Sequence, residues 1–451
     1  MESINARSES YPLALRPIYL TEQPNQPIQL YQGELEVTQQ TTVIKGNGSV
    51  YFEWLPSPKV KFDFLPYHEY QLQLELEQAN LKLSDRTLTK VSILSEDILN
   101  SRFSGIPKKG IILGNGQDLS YVIFHLTNFH RFVGRCISAK ISGVKDRYRG
   151  RLHIEADGWT VTIDTLPNDI IRSLESQGGY AITHVGKLER SDKSAFTSDD
   201  ANNFLEALSY FLSFSRGFWI APLLQVGHKI KDEKVWEKWN FPKVSPWRSV
   251  ESWFPDYANG ENINRAFLGF WRRWNNPTWN EPIRLAIYWY MESNAQAGGI
   301  EGSIVLQQAA FELLSRVLLV EDKKRFMADK FAPGKDGLKA AEKLNELLQE
   351  CGICNRIPKS LYQLNEFSKK LNKVEGPKVL TNIRNIIVHS GDPKERKKIS
   401  DSQQSRYEAW KLGLWYLELV LLYLFDYQGD YFSRVAEKEE SVPWAKNRLQ
   451  A

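Results

Sequence analysis

Two patterns of hydrophobic and polar positions divide this chain of 451 residues. Over roughly the first two hundred residues, short segments alternate apolar and polar side chains with a period of two, which is typical of β-strands. From about residue 281 onward, apolar residues recur every three to four positions, as on the buried stripe of an α-helix. The pattern predicts an α+β protein, with a β-rich N-terminal domain followed by an all-α C-terminal bundle.

Turn residues organise the β-rich region. Gly46-Asn47-Gly48 and Asp157-Gly158 each lie between β-branched or aromatic segments, so both are predicted to be turns between strands. Short strands at such close spacing predict a sandwich or a barrel-like sheet. Thr197, with Asp200 three residues later, predicts the N-cap of a helix that ends this domain at about residue 215.

The helical region begins after a tryptophan-rich stretch. Nine of the 14 tryptophans lie between Trp219 and Trp289, with proline and glycine between them, so residues 216–280 are predicted to be a packed connector. The helical segments that follow are predicted at 281–295, 302–320, 336–350, 358–372, 376–390 and 403–427. We therefore assign residues 1–215 to the β-rich domain, 281–435 to a bundle of five or six helices, and 436–451 to a tail.

The composition is that of a globular protein, with 42% hydrophobic and 25% charged residues and a net charge of only +4. Three cysteines do not suit a disulfide scaffold. The N-terminus has no long apolar segment, and the run at 419–425 is far shorter than the roughly 20 residues that span a bilayer. These features predict a cytoplasmic protein without membrane association.

The stretch RNIIVHSGDPKERKK, residues 384–398, carries the strongest candidate chemistry. On a helical wheel Asn385 and His389 share a face, whereas Arg384 lies about 140° away from His389. A histidine titrates near neutral pH and can act as a general acid or base, and an arginine can stabilise negative charge on phosphate. These are the groups that metal-independent RNA cleavage needs, so neither a metal nor a cofactor is predicted.

The charge around this stretch is locally positive. Residues 323–398 contain 18 Lys and Arg against 9 Asp and Glu. Lys394, Arg396, Lys397 and Lys398 are therefore predicted to bind RNA phosphates. The plain alternative is a cationic helix terminus followed by a solvated basic segment.

IRNIIVHSG, followed by a long aromatic and aliphatic helix, resembles the R-x4–6-H motif of HEPN domains, in particular the ApeA-like group of bacterial abortive-infection proteins. In that family the motif forms an endoribonuclease site, commonly composite across a dimer. The resemblance covers residues 281–430 and implies RNA cleavage by Arg384 and His389, with Asn385 as the polar residue after the arginine. Glu312 is the candidate for an accompanying helical glutamate, its alternative being a structural carboxylate that pairs with an arginine.

The resemblance implies a two-part anti-phage protein. The β-rich domain would sense a phage-derived or nucleic-acid activator, and the bundle would cut RNA, with tRNA among the candidate substrates. Because the wheel separates Arg384 from His389, a homodimer or larger homo-oligomer is expected to complete the site. The alternative is a non-catalytic HEPN module that binds RNA or a protein partner.

Other residues carry weaker signals. Cys351 and Cys354 form a CxxC without a second ligand pair, and ordinary cysteines at a helix end are the favoured interpretation. His125, His130 and His184 lack partners at metal-ligand spacing, so structural roles are expected. Residues 270–274, FWRRW, could stack bases and bind phosphates, but packing is favoured. No nucleotide-binding, nucleophile-elbow or zinc-protease motif is present in the sequence.

Overall fold

The computed structural model describes residues 11–68, 79–83, 88–97, 102–141, 144–332, 334, 337–372, 375–389 and 403–446. These residues form two compact units. Unit 1 takes the described residues of Met1–Ser209 and Ile220–Ser249, and unit 2 takes those of Tyr210–Trp219 and Val250–Ala451. Unit 1 is β-rich and unit 2 is mainly helical, so the chain is an α+β protein with its β-rich part first.

The first strands of unit 1 close into an antiparallel barrel in the order β1-β2-β3-β6-β5-β4. Their bounds are β1 Ile28–Gln39, β2 Thr42–Glu53, β3 Lys59–Pro66, β4 Ala79–Leu83, β5 Leu88–Asp97 and β6 Arg102–Pro107. Alternate side chains such as Val50, Phe52, Phe62 and Phe64 are fully buried, which is the period-two pattern that the sequence predicted.

The predicted turn at Gly46-Asn47-Gly48 is wrong. All three residues lie inside β2 and pair with both β1 and β3, and the turn between β1 and β2 lies at Gln40 and Thr41. Glycine is needed here because a Cβ on Gly48 would come within 2.3 Å of a Leu35 methyl and 2.4 Å of the Asp63 carbonyl oxygen. The glycines therefore allow close approach of neighbouring strands.

A second antiparallel sheet completes unit 1. Its order is β10-β11-β12-β13-β8-β14-β15-β7. The strands after the barrel are β7 Ile111–Gly114, β8 Tyr121–Thr127, β9 Phe132–Val133, β10 Arg135–Ile141, β11 Val144–Ala156, β12 Trp159–Thr165, β13 Ile182–Arg190, β14 Pro222–His228 and β15 Lys234–Trp239.

Two local predictions in this region are confirmed. Asp157 and Gly158, with φ of 43° and 77°, form the tight turn between β11 and β12. Helix α1 is Ile170–Gln177 and helix α2 is Ser198–Arg216. The Asp200 backbone N–H donates to Thr197 Oγ1 at 3.2 Å, while the Thr197 backbone N–H donates to Asp200 Oδ2 at 3.0 Å. Thr197 is thus the N-cap of α2, as the sequence predicted.

Unit 2 is built mainly from helices. After the short strand β16 Ala258–Asn259 come α3 Glu261–Trp274, α4 Asn280–Asn294, α5 Gly299–Arg316, α6 Ala340–Glu350, α7 Tyr362–Lys370, α8 Gly376–Val388 and α9 Gln403–Leu424. The hairpin β17 Asp430–Ser433 and β18 Lys438–Ser441 follows. Each predicted helical segment corresponds to one of the helices α4 to α9. Residues 216–280, the predicted connector, contain β14 and β15 of unit 1 and helix α3 of unit 2.

One described helix, Gly299–Asp322, is long and apolar enough to cross a membrane on length and composition. It consists of α5 and its π-helical continuation Val317–Asp322. Since 61% of its most apolar 18-residue stretch is buried within the fold, the helix has the burial expected of a core helix.

Candidate functional site

The predicted site lies at the C-terminal end of α8. Pro377 occupies the first turn of this helix, where its missing N–H leaves no hydrogen bond unmade. Val379, Leu380, Ile383 and Ile386 are buried, and this face packs against α5, α6 and α9. The apolar stripe of the sequence therefore fixes the rotation of α8 and decides which polar side chains face solvent.

His389 follows α8 directly as its C-cap. Its backbone has left the helical conformation, with φ −102° and ψ 30°, and its N–H still donates to the Asn385 carbonyl oxygen at 2.9 Å. The side chains of Asn385 and His389 are both exposed, as expected for residues four apart on one helix face. The end of the helix thus presents an imidazole to solvent.

Arg384 lies beside Asn385 and Glu312. Its Nη2 is 3.5 Å from Glu312 Oε1, and its Nη1 donates to Asn385 Oδ1 at 3.0 Å. Glu312, on α5, also accepts a hydrogen bond of 3.3 Å from Gln308 Nε2. The structure therefore connects three of the four predicted residues, although Arg384 and Glu312 lie on different helices.

His389 is not joined to this set within one chain. Among the described residues, no hydrogen bond or ion pair links its imidazole to Arg384, Asn385 or Glu312. This agrees with the helical wheel, which directed the Arg384 and His389 side chains apart. The predicted phosphate ligands Lys394, Arg396, Lys397 and Lys398 lie outside the described residues.

Three side chains of α8 have buried polar atoms without a hydrogen-bond partner. Arg384 Nε, Asn382 Oδ1 and Thr381 Oγ1 are buried and have no hydrogen-bond partner in the part of the chain that the structure describes. Buried polar atoms are almost always paired in folded proteins, so three unpaired ones on one helix require an explanation. Asn382 lies about 160° around α8 from Arg384, so these atoms belong to more than one face of the helix.

A buried arginine–glutamate pair of unit 2, Arg434–Glu418, was not identified from the sequence. Arg434 donates to Glu418 through Nε at 3.0 Å and through Nη2 at 2.5 Å, and Tyr290 Oη donates to Glu418 at 2.6 Å. Arg434 also donates to the Glu251 carbonyl oxygen at 3.0 Å. Burial opposes the charge of Arg434, but Glu418 outweighs burial and raises the pKa of the guanidinium. In the sequence, Glu418 is the single acid of the apolar run LWYLELVLLYL. An isolated acid in such a run indicates a buried carboxylate that needs a partner.

The other candidates have structural surroundings. Cys351 is buried, Cys354 is exposed, and both are free thiols. Burial raises the pKa of the Cys351 thiol well above its ordinary value, so the thiol stays protonated and unreactive. Trp271 and Trp274 are largely buried, and Arg273 pairs with Asp322 at 3.0 Å, so these residues pack within unit 2 and do not present a base-stacking surface.

Two histidines of unit 1 are core residues. Burial lowers the pKa of His125 to about 4 and that of His184 to about 3. His125 Nε2 accepts hydrogen bonds from the backbone N–H groups of Ile18 and Tyr19, both at 3.1 Å, and Nδ1 donates to the Leu224 carbonyl oxygen. Among the described residues, no group of three or more His, Cys, Asp or Glu is arranged to hold a metal ion.

Comparison with known proteins gives matches over most of the chain. Residues 114–250 match the family of the YopA central domain, and residues 276–444 match that of the YopA C-terminal domain. No solved structure matches the chain. The SPbeta prophage-derived uncharacterized protein YopA of Bacillus subtilis (strain 168) is 27% identical, over 96% of this chain and 98% of its own length. The chain is therefore similar to a prophage-derived protein from end to end, and its two matched segments correspond to the central and C-terminal domains of YopA.

Proposed function

We propose that unit 2 is a HEPN-type, metal-independent endoribonuclease that acts on RNA in the cytoplasm. The proposal rests on one observation above all. Arg384 is held by Asn385 and Glu312 on a polar face of unit 2, and the exposed His389 ends the same helix. A fixed cation and an imidazole that meet at one phosphate are the minimum apparatus for RNA cleavage through the 2′-hydroxyl.

The chemistry assigns a role to each side chain. The 2′-oxygen of RNA attacks the adjacent phosphorus, the bond from phosphorus to the 5′-oxygen breaks, and the leaving oxygen takes a proton. His389 accepts the proton of the 2′-hydroxyl, and water donates the proton to the leaving group. Arg384 stabilises the charge that develops on the phosphoryl oxygens. The products are a 2′,3′-cyclic phosphate and a 5′-hydroxyl.

Glu312 and Asn385 orient Arg384 in this proposal. A guanidinium has five N–H donors, and the contacts with Glu312 and Asn385 engage only some of them. The remaining Nη donors stay available for phosphate. Because His389 is not joined to Arg384 within one chain, we propose a homodimer in which two copies of the end of α8 face each other.

The biological setting is part of the same proposal. The relative is named as derived from a prophage. A nuclease that stops the growth of an infected cell would act in abortive infection, with unit 1 detecting a phage-derived or nucleic-acid activator. The alternative function is a non-catalytic HEPN module in which the same polar face binds RNA or a protein.

The test compares RNA integrity in cells and in the purified protein. Cells that express the wild type, His389→Ala or Arg384→Ala are followed for growth with and without phage infection, and their RNA is sequenced for new 5′ ends. The purified proteins are incubated with total RNA in EDTA. We expect cleavage and growth arrest with the wild type, and neither with either variant.

A matched control separates the site from general charge loss. Arg316 belongs to the same unit and makes an exposed ion pair with Glu321 at 3.4 Å, so Arg316→Ala should cleave RNA like the wild type. RNA that stays intact both in infected cells and in vitro, while the wild type still binds it, would favour the non-catalytic module. Cleavage that survives His389→Ala would refute the assigned mechanism.

A further inference from the structure

Unit 1 contains a polar pocket whose composition differs from that of a structural core. It has a volume of about 260 Å³ and lies between α2, β14, β15 and the residues that follow β15. Asn202, Gln225, Lys238 and Asn240 line it, and the prolines Pro222 and Pro242 contribute apolar walls. The volume is below the roughly 300–1,000 Å³ of drug-sized ligand sites, so the pocket suits a small molecule or a single group.

An irregularity in β14 forms one side of this pocket. The pairing of β14 with β8 shifts register between Leu223 and Val226, so the strand carries one extra residue. Leu224 adopts φ 49°, a left-handed conformation that is unfavourable for a bulky residue, and its carbonyl oxygen accepts the hydrogen bond from His125 Nδ1. Backbone strain of this kind persists where the surroundings enforce it and is frequent at binding sites. Its consequence here is that the next residue, Gln225, lines the pocket.

Gln225 is only 3% exposed, yet its Oε1 has no hydrogen-bond partner among the described residues. Asn240 Oδ1, in the same pocket, is also buried and unpaired within the described part of the chain. Leaving a buried acceptor unsatisfied costs about 1–3 kcal/mol. An apolar side chain at position 225 would avoid that cost, so the amide is better explained by a ligand than by the fold.

Lys238 provides a hydrogen-bond donor beside these acceptors. It pairs with Gln225 across β14 and β15, and its Nζ donates to Asn202 Oδ1 at 2.6 Å. Burial lowers the pKa of this lysine, while the nearby carboxylates Asp199 and Glu206 oppose that effect. Two carboxylates near one ammonium make the site unsuited to a strongly anionic group. A neutral ligand with both N–H donors and an acceptor fits better.

We propose that this pocket binds a nucleobase that carries an exocyclic amino group next to a ring-nitrogen acceptor, as adenine and cytosine do. The amino group donates to the unpaired oxygen of Gln225 or Asn240, and the ring nitrogen accepts from the Gln225 amide NH2 or from Lys238. Side-chain amides form the same two-point pairing with adenine in nucleic-acid recognition. The flat base packs between the apolar walls. The base belongs to a free nucleoside or to an unstacked position of a nucleic-acid strand, and the inference does not depend on the nuclease proposal.

The test is calorimetric titration of the full chain with adenosine, cytidine and uridine, and with short single-stranded DNA of A or T. Uridine has a carbonyl oxygen in place of the amino group, so it should bind at least about tenfold more weakly than adenosine or cytidine. Preference for the A strand over free adenosine identifies a nucleic-acid base as the ligand, and the reverse identifies a nucleoside. Absence of binding by all five, or equal binding of adenosine, cytidine and uridine, overturns the proposal.

Variants distinguish a ligand contact from a structural role. Gln225→Met keeps the shape and removes the amide, so it should lower nucleoside affinity at least about tenfold while the thermal midpoint stays equal or rises. Asn240→Ala, at a half-buried position, should also weaken binding. Gln177→Met, at the exposed end of α1, serves as the control and should bind like the wild type. A Gln225→Met protein that binds normally, or that is destabilised and regains binding at low temperature, contradicts the proposal.

Discussion

Two of the arginine–glutamate pairs of unit 2, Arg434–Glu418 and Arg384–Glu312, have the same chemistry and opposite surroundings. In the Arg434–Glu418 pair the side chains are 1% and 0% exposed, and hydrogen bonds of 3.0 Å and 2.5 Å join them. In the Arg384–Glu312 pair the side chains are 28% and 41% exposed, and the single contact is 3.5 Å long. The first pair makes its hydrogen bonds within the protein, whereas in the second pair the buried Arg384 Nε has no hydrogen-bond partner among the described residues.

This is the difference expected between a structural role for Arg434 and the proposed functional role for Arg384. A fully buried and fully bonded pair cannot engage a substrate, and removing one partner leaves an isolated buried charge. An exposed pair contributes little to stability because water screens it, so its arginine is available to bind a substrate. Arg434 should therefore control the folding of unit 2, and Arg384 should control its activity.

The largest effect is expected from Arg434→Ala. It leaves Glu418 buried without its cation, which should lower the free energy of unfolding of unit 2 by about 3–5 kcal/mol. Urea denaturation followed by circular dichroism measures the change. The double variant Arg434→Met with Glu418→Leu, which removes both charges, should recover much of the loss. If Arg434→Ala lowers the free energy of unfolding by less than about 1 kcal/mol, the two pairs do not differ in their contribution to stability.

Arg384→Ala should produce the converse result. The stability cost should stay below about 1 kcal/mol because the pair is partly exposed. The rate of RNA cleavage should fall by a factor of about 10²–10³, the usual effect of losing one donor to a developing oxyanion. Denaturation and a single-turnover cleavage assay on the same preparations test both parts. A strongly destabilised Arg384→Ala protein would show that this pair is structural as well.

Lowering the pH should destabilise unit 1 more than unit 2. Six of the seven histidines belong to the sequence of unit 1, and His125 and His184 are buried in the neutral state. Their pKa values are about 4 and 3 in the fold against an ordinary 6.5, so the unfolded chain binds more protons between these values. The contribution of each neutral histidine to the free energy of unfolding is fully present above pH 6.5. It should fall by up to about 1.4 kcal/mol per pH unit as the pH drops toward 4.

Hydrogen exchange measured by mass spectrometry from pH 7 to pH 5, corrected for the intrinsic exchange rate, resolves the two units. Peptides of β8 and β13 should lose protection with falling pH earlier than those of α5 and α9. A His184→Gln variant should reduce the dependence if it folds, and His125→Gln provides a second test. Equal acid sensitivity of both units would mean that these histidines do not set the stability of unit 1.

The smallest effect is expected from Glu312→Gln. The amide keeps a hydrogen-bond acceptor for Arg384 but removes the charge, so orientation of the arginine should weaken only in part. Cleavage should fall less than tenfold, and stability should change by less than about 0.5 kcal/mol. Glu321→Gln, in the exposed pair with Arg316, is the matched control. A loss as large as that of Arg384→Ala would assign Glu312 a direct part in the reaction.

Local patterns in the sequence predicted much of the fold. Helices α4 to α9, the turn at Asp157-Gly158 and the cap at Thr197 depend on residues near one another in the chain, and each was predicted. Helix α3 was missed because its buried stripe is largely aromatic and lies in a stretch rich in proline and glycine. The glycines of β2 were misassigned because strand contacts with residues distant in sequence, such as Leu35, determine their role.

The site was only partly predictable for the same reason. The helical wheel placed Asn385 and His389 together and separated Arg384 from His389. The contact of Arg384 with Glu312 depends on how α5 packs against α8, which periodicity does not specify. The polar pocket of unit 1 depends on a register shift in β14, and no short sequence motif indicates a bulge of that kind.

The most direct test of the proposed composite nuclease site mixes two inactive proteins. Arg384→Ala and His389→Ala are co-expressed with different tags, purified as a mixed assembly and incubated with RNA in EDTA. If the site takes Arg384 from one copy and His389 from another, the mixed assembly regains cleavage that neither variant has alone, with 2′,3′-cyclic phosphate ends. If the wild type cleaves and the mixed assembly forms but stays inactive, the composite site is wrong.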